Sequence, residues 1–314
     1  MSEQTAEAVE HVLQDELRRG DAMIATSRPI LRHLLVNDDH ALFSDEMIAR
    51  IRGMLNHVAA QLLFAEAAAA DALDHARYAA ERQDALAQAL FEDTEFLAHA
   101  HALTLEARLT ARLQGRSGID AVLTPLVQEL AAAKEMDVAG VAMAVLAAQA
   151  RFMQHHRRME LPLDELPGDL FHKALLLLQE QGDEDEPEAE RAAQQLREAY
   201  EEGAGRLGLL ARLVMTLGQK AARALAIDHA GVAIFATALA MASGQERGLT
   251  VLSFADRQFA RLALALRAAG LKQQAVEEQF LYLHPESALP GGFGAVRADR
   301  AAALLASSRP AVGF

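Results

Sequence analysis

The sequence predicts an all-α protein, a multi-helix bundle or helical array of about ten helices with no sheet. Alanine and leucine dominate the 314 residues, whereas aromatic residues make up only 5% and tryptophan is absent. Residues that favour strands are therefore scarce, and residues with high helix propensity prevail. Helix caps also recur ahead of apolar residues spaced three and four apart, the spacing of one helix face.

The clearest of these patterns lies in the N-terminal half. Ser44 is a good N-cap, and Asp45 and Glu46 follow it, where negative charge favours the positive end of a helix. A helix is therefore expected to begin near Asp45. Its core-facing residues recur at spacings of three and four: Ile48, Ile51, Leu55, Val58 and Leu62.

Further helices are expected up to residue 158. A helical run should break near residues 93–94, where a new helix begins. Pro125 fits the first turn of a later helix, directly after Thr124. Asp137 is expected to cap a helix over Val138–Arg158.

Beyond this point, helical segments alternate with breaks. Prolines and a glycine interrupt helix at Leu161–Asp169, and the acidic run at 182–190 is the strongest linker candidate. A later helix should stop at Gly244. The spacing of Ser253 and Asp256 then indicates a capping-box variant at the start of the next helix.

These breaks predict two helical units and a tail. Residues 1–165 are expected to form an elongated N-terminal helical bundle. Residues 166–284 are expected to form a C-terminal helical unit, with the acidic linker near 182–190. Residues 285–314 are rich in Gly, Pro and Ser and are expected to form a flexible tail.

Charge and composition narrow the functional classes. A net charge of −14 disfavours binding to nucleic acid and to anionic membranes, and the absence of cysteine excludes disulfides and thiolate chemistry. No secretory signal is visible, and the longest apolar runs, Val138–Ala148 and Gly231–Ala242, are shorter than the roughly 20 residues that span a bilayer. We therefore expect a cytoplasmic protein that binds no membrane. Its alanine- and arginine-rich composition is typical of GC-rich bacterial genomes.

One glycine motif resembles a nucleotide-binding turn. Gly203, Gly205 and Gly208 satisfy the GxGxxG pattern, which requires a strand leading into the glycines. The preceding segment, Gln194–Glu202, is acidic and helical instead. We interpret the glycines as a helix break or a close-packing site, and we predict no cofactor.

Two pairs of side chains have spacing suited to half of a metal site. Asp71 with His75 and Glu95 with His99 are each four residues apart, which places two ligands on one helical face. A di-iron bundle would need Glu-x-x-His pairs, and none occurs. These four residues are therefore candidate metal ligands, with solvated surface contacts as the simpler interpretation.

A basic cluster marks the end of the helix over Val138–Arg158. It is a candidate patch for an anion or an acidic partner, although basic residues at a helix C-terminus also complement the helix dipole. The cluster consists of Arg151, His155, His156, Arg157 and Arg158.

Two further patterns fit other classes. The paired Asp38 and Asp39 are the nearest match to the aspartate-rich motifs of helical isoprenoid synthases, but an aspartate three residues further on is missing. The acidic run 183–186 lies beside Pro187 and is interpreted as solvated. The helices within 228–283 could include a helix-turn-helix, with Arg257 and Arg261 on the outer face of its recognition helix.

The segment 228–285 resembles part of an uncharacterised all-helical family of alphaproteobacteria that is grouped with HEAT-like repeats. The resemblance depends on an Ala/Leu-rich helix, a short connector, and a second such helix that closes with "LRAAGL" at 266–271. It implies a helical fold. It assigns no functional residue, because the family has no established activity.

The sequence therefore favours a noncatalytic cytoplasmic scaffold or regulator that binds a protein partner or associates with itself. A helical enzyme or binding protein with a metal or small-molecule site between helices is the first alternative. A DNA-binding regulator with a helix-turn-helix is the second.

Overall fold

The structure is a computed structural model that describes residues 3–37, 45–181, 187–255 and 258–308. These residues form fourteen α-helices and four short 3-10 helices, and no strand occurs among them. The predicted all-α class is confirmed. The helix count exceeds the expected ten, and it becomes fifteen if α10 is divided at its non-helical residue, Gly231.

The α-helices are α1 (Glu3–Asn37), α2 (Asp45–Ala69), α3 (His75–Glu92), α4 (Thr94–Ser117), α5 (Pro125–Ala131), α6 (Met136–Arg157), α7 (Gly168–Gln181), α8 (Glu188–Ala199), α9 (Arg206–Thr216), α10 (Ile227–Ser243), α11 (Arg247–Leu252), α12 (Phe259–Ala268), α13 (Gln273–Leu283) and α14 (Ala298–Ser307). The 3-10 helices are Leu163–Glu165, Glu202–Ala204, Gly218–Leu225 and Phe293–Ala295. The higher count arises because several helices are short, and short helices leave little periodicity in a sequence.

Contacts divide the chain into two compact units, each built from segments distant in sequence. Unit 1 comprises residues 1–27, 105–146 and 210–314, and unit 2 comprises residues 28–104 and 147–209. This grouping differs from the division expected from the sequence, at 165/166 and 284/285, which stays a prediction.

Helix α2 forms the centre of unit 2. It packs on α3, α7 and α8, and it begins at Asp45 as predicted. All five residues of its predicted seam are at most 2% exposed. The N-cap assigned to Ser44 lies outside the described residues.

Helix α10 forms the centre of unit 1. It packs on α5, α11, α12 and α13, and most of its residues are buried, as expected for a helix that is apolar on all sides. The helical conformation is interrupted by a kink at Gly231, where φ is 74° and ψ is 168°. The helix ends in a left-handed cap at Gly244, as predicted.

Two elements of the C-terminal half differ from the sequence-based expectation. Ser253 caps the C-terminus of α11 rather than starting the next helix, which begins at Phe259. The capping-box prediction was therefore wrong at Ser253, because its hydroxyl donates to the carbonyl of Thr250 in the preceding turn. Asp256 lies outside the described residues. Within the expected tail, α14 packs on α12.

Helix α6 is the one described α-helix that is long and apolar enough by itself to cross a membrane, and only 28% of its most apolar window is buried. The bent pair Gly218–Leu225 and α10 also passes that test, with an angle of 110° between its two parts. The apolar run Val138–Ala148 noted in the sequence thus lies within the longer helix α6, which is mostly exposed.

Candidate functional site

The four candidate metal ligands lie in different surroundings. Asp71 is exposed in the turn after α2, and His75 begins α3 with its ring edge against Phe64. Glu95 is exposed on α4 and its carboxylate lies 2.9 Å from the ammonium of Lys173. His99 is partly buried on the same helix. No group of three or more His, Asp or Glu side chains suited to a metal ion occurs in the described part of the chain.

The glycine motif follows a helix rather than a strand. Helix α8 and the 3-10 helix Glu202–Ala204 precede it, and α9 begins between Gly205 and Gly208. A Cβ atom at Gly205 would lie 2.6 Å from the carbonyl oxygen of Asp164, and one at Gly208 would lie 2.6 Å from that of Glu202. Two backbone segments therefore approach each other closely here, which supports the close-packing interpretation.

Arg261 is buried in unit 1, so the proposed recognition-helix face is wrong at this residue. Its side chain is 1% exposed and forms an ion pair with Asp21. It also donates to the side chains of Gln245 and Ser308. A guanidinium with these partners is unavailable to DNA bases or phosphates. Arg257 lies outside the described residues, as do Asp38, Asp39 and the acidic run 183–186.

The basic cluster at the end of α6 does not form one patch. Arg151, Arg157 and Arg158 are exposed, whereas His156 is 7% exposed and His155 is partly buried. His156 therefore does not share an exposed surface with the three arginines, whereas His155 lies on the same helical face as Arg151 and Arg158, four and three residues away. Binding of an anion or an acidic partner by this cluster stays a prediction.

The two histidines line a small pocket inside unit 2. Its polar residues are His155, His156, Glu160, Glu165 and Arg206, and its remaining walls are mostly apolar. Arg206 is 1% exposed, with its guanidinium 3.7 Å from the centroid of the Phe152 ring and 3.2 Å from Gln149 Oε1. The Phe152 ring and the Gln149 oxygen offset part of the free-energy cost of removing this guanidinium from water.

The two carboxylates of the pocket have opposite electrostatic surroundings. His155 Nδ1 lies 2.7 Å from Glu160 Oε2, and this hydrogen bond lowers the pKa of Glu160. Burial raises the pKa of Glu165, although the Arg206 guanidinium opposes that change. The Arg206 backbone N–H donates to Glu165 Oε2 at 3.2 Å.

A polar clamp from α2 holds the loop that carries these carboxylates. Gln61 Nε2 donates to the carbonyl of Leu161 at 2.9 Å, and its Oε1 accepts from the N–H of Leu163 at 3.1 Å. His57 Nδ1 lies 3.0 Å from the same Leu161 oxygen. The loop therefore has a defined position relative to α2.

The pocket is nevertheless small. Its enclosed space accommodates the centre of about one water molecule. This space is too small for a substrate of several heavy atoms. Sequence reasoning identified His155 and His156 but missed Arg206, Glu160 and Glu165. An arginine at the start of an apolar helix, between the close-packing glycines Gly205 and Gly208, was the available signal.

Replacing Glu165 with glutamine is expected to stabilise the protein at neutral pH. Because burial raises the pKa of Glu165 above its ordinary 4.5, the folded state holds this proton more tightly than the unfolded chain. Protonated Glu165 therefore stabilises the folded state. This contribution is fully present below the pKa of Glu165 in the unfolded chain, and it is lost as the pH rises through the pKa of Glu165 in the folded protein. The variant keeps the uncharged form, so its free energy of unfolding in urea should exceed the parent's at about pH 7, and the difference should shrink toward about pH 4.

Glu180→Gln provides the matched control, because Glu180 is exposed on α7 in the same unit and is not among the charges that act on Glu165. It should leave the pH dependence of unfolding close to that of the parent. A glutamine variant with the same stability difference at both pH values would contradict the expectation.

A second feature is the exposed face of α6. Met136 is 83% exposed and Met143 is 53% exposed, and the exposed Gly140 lies between them on the same face of the helix, within unit 1. These residues are spaced four and three apart, which is the spacing of a helix–helix seam. A Cβ atom at Gly140 would have nothing within 4 Å. We call these three residues the α6 stripe.

Comparison with known proteins gives no match: no family model, no curated protein and no solved structure matches the chain. The class of the protein therefore follows from its own fold and surface. It is an all-α protein with a small polar pocket in unit 2 and an apolar stripe on α6.

Proposed function

We propose that this protein is a noncatalytic helical scaffold or regulator that acts by protein–protein association through the α6 stripe. The observation that carries the proposal is the exposure of Met136 and Met143 on one face of the helix, with Gly140 between them. Exposed apolar side chains that share a helix face are costly in water and favour an interaction site. The glycine between the methionines lets another backbone approach closely.

The pocket supports this proposal over an enzyme. Its room for about one water leaves no space for a substrate. The α6 stripe, by contrast, is open along its length. We accordingly propose no cofactor.

We also propose a cytoplasmic location and a protein partner rather than a lipid or nucleic acid. The net charge of −14 opposes phosphate-rich partners. Asp137 at the start of α6 is exposed beside the stripe, which makes insertion of this face into a bilayer costly.

A photo-crosslinking amino acid in place of Met143 is expected to capture a protein in living cells. The matched control is the same probe in place of Met215, a methionine of similar exposure at 66% that lies on α9 outside the stripe. The Met143 probe should give a discrete adduct that the Met215 probe does not. Met136→Glu, combined with the probe, should abolish this adduct, since an apolar contact would then have to bury a charge.

Two outcomes would contradict the proposed function. One is the absence of any protein adduct specific to position 143. The other is flotation of the purified protein with phospholipid vesicles that Met143→Glu abolishes and Met215→Glu does not, since the stripe would then contact lipid.

A further inference from the structure

We propose that Met136 and Met143 form a reversible oxidation site, at which hydrogen peroxide weakens the association that the α6 stripe mediates. This inference rests on the proposed function and names its regulation. It uses the thioether sulfur atoms of the two side chains, whereas the proposed function uses only their apolar surface. The two can therefore be tested separately.

Methionine provides all the sulfur chemistry of this chain. The sequence has ten methionines and no cysteine, so peroxide meets no thiol that would react in their place. Leucine, isoleucine or valine would give the stripe a similar apolar surface without a sulfur atom. A two-electron oxidation at the stripe is therefore confined to its two thioethers.

Exposure makes these two sulfur atoms accessible to an oxidant in solution. The side chains of Met136 and Met143 are more than half exposed, whereas those of Met47 and Met54 in unit 2 are at most 6% exposed. Hydrogen peroxide is uncharged, so the net charge of −14 does not repel it. The stripe should therefore be oxidised before these buried methionines.

The stripe is also distinguished from the other exposed methionines. Exposed methionines among the described residues all lie in unit 1: Met23, Met136, Met143, Met215 and Met241. Of these, Met136 and Met143 are the two that lie on the same helix, with about 10 Å between them along its axis. Oxidation of both therefore changes one continuous face, and oxidation elsewhere does not.

The reaction is a two-electron oxygen transfer. A lone pair of the thioether sulfur attacks one peroxide oxygen, the O–O bond breaks and an S–O bond forms. The other oxygen leaves as hydroxide and takes up the proton of the transferred oxygen, which gives the sulfoxide and water. Sulfur is oxidised by two electrons, and peroxide is reduced by two. Methionine sulfoxide reductases reverse the change with a dithiol, which becomes a disulfide while the oxygen leaves as water.

Oxidation replaces apolar surface with a strong dipole. The sulfoxide oxygen accepts hydrogen bonds from water, and an apolar contact surface offers no donor to replace them. Gly140 increases this effect, because the close backbone approach that it permits leaves little room for water at the contact. We therefore expect each sulfoxide to weaken association about tenfold. Both side chains are exposed, so the fold of unit 1 should be retained.

The first test measures oxidation without a partner. The full chain is treated with increasing hydrogen peroxide, and peptide mass spectrometry follows the gain of one oxygen atom at each methionine. Met136 and Met143 should be oxidised at least about tenfold faster than Met54. Retention on a hydrophobic interaction column should fall, and the double variant Met136→Leu, Met143→Leu should lose part of this fall, because leucine is apolar but has no sulfur.

The second test measures association. A protein with the photo-crosslinking amino acid in place of Met143 keeps Met136 as the sulfur of its stripe. Peroxide treatment, ended with catalase before a cell extract is added, should lower the yield of the specific adduct about tenfold, and the reductases should restore it. Met136→Leu should make the adduct resistant to peroxide, whereas Met215→Leu should leave it sensitive. Circular dichroism should show that the oxidised protein and both variants are folded.

Other results overturn the inference. Equal oxidation rates at Met136, Met143 and Met54 would show that the stripe is not a preferred site. An adduct that persists when Met136 is fully oxidised excludes control by the sulfoxide, and a loss that Met136→Leu does not prevent places the effect at another residue. The proposed function stands in these three cases. The absence of a specific adduct from the unoxidised protein removes both the proposed function and its regulation.

Discussion

Replacing Arg247 with methionine is expected to lower the free energy of unfolding by about 3–5 kcal/mol. Arg247 Nη1 lies 2.9 Å from Glu106 Oε2 inside unit 1, and the Glu106 side chain has no exposed surface. Its Nε also donates to Thr237 Oγ1 at 2.9 Å. The variant removes a cation from beside a buried carboxylate, whose desolvation cost remains. Urea unfolding monitored by circular dichroism measures the change.

Arg77→Met is the matched control for this experiment. Arg77 Nε lies 3.0 Å from Glu81 Oε1, close to the distance in the buried pair, but the two side chains are 78% and 63% exposed. Its loss should change stability by no more than about 0.5 kcal/mol. Adding Glu106→Gln to the Arg247 variant should recover part of the loss, because the buried charge is then removed as well. A loss below about 1 kcal/mol for Arg247→Met would show that the pair is not important for stability.

Replacing Gly231 with alanine is expected to cost about 2–5 kcal/mol, from two separate causes. The backbone at Gly231 has φ 74° and ψ 168°, a region in which side chains are strained. An added Cβ would also lie closer to the Cγ2 methyl of Thr124 than unbonded carbon atoms can approach. The residue is buried, so relaxation requires movement of α10 or of the segment before α5.

Thr124→Ser separates these two causes. It removes the Cγ2 methyl but keeps the hydroxyl that accepts from the N–H of Val127 at the start of α5. In this background, Gly231→Ala should lose the steric part of its cost and keep the backbone part. Gly115→Ala on α4, where an added Cβ meets nothing within 4 Å, should be neutral or stabilising by up to about 1 kcal/mol. Equal effects at Gly231 and Gly115 would contradict the expectation.

Sequence reasoning succeeded where the determining forces are local. Thr124 caps α5 with Pro125 in its first turn, the break between α3 and α4 falls at residue 93, and Gly244 ends α10 in a left-handed conformation. Each of these features depends on the conformational preference of one or two residues. The apolar seam of α2 was equally visible, because burial follows helical periodicity.

The buried polar pairs could not be predicted in this way. Arg261 was assigned to an outer face because charged residues are usually exposed, but its partner Asp21 lies 240 residues earlier. Arg247 and Glu106 are 141 residues apart, and the pocket joins Arg206 to Glu165 across 41 residues. Nothing local distinguishes Arg247 or Arg261 from an arginine on the surface. The helix packing that creates these pairs is decided by long-range contacts.

The long separation between Asp21 and Arg261 also affects how the protein is made. Leu13 and Leu17 on α1, which are each 1% exposed in the finished fold, are synthesised well before Arg261. At 5–20 residues per second, roughly 10–50 s pass between the synthesis of Asp21 and that of Arg261. During that interval the ion pair between them cannot form, and unit 1 lacks its last segment, which begins at residue 210. Unit 1 can therefore reach its complete packing only late in translation.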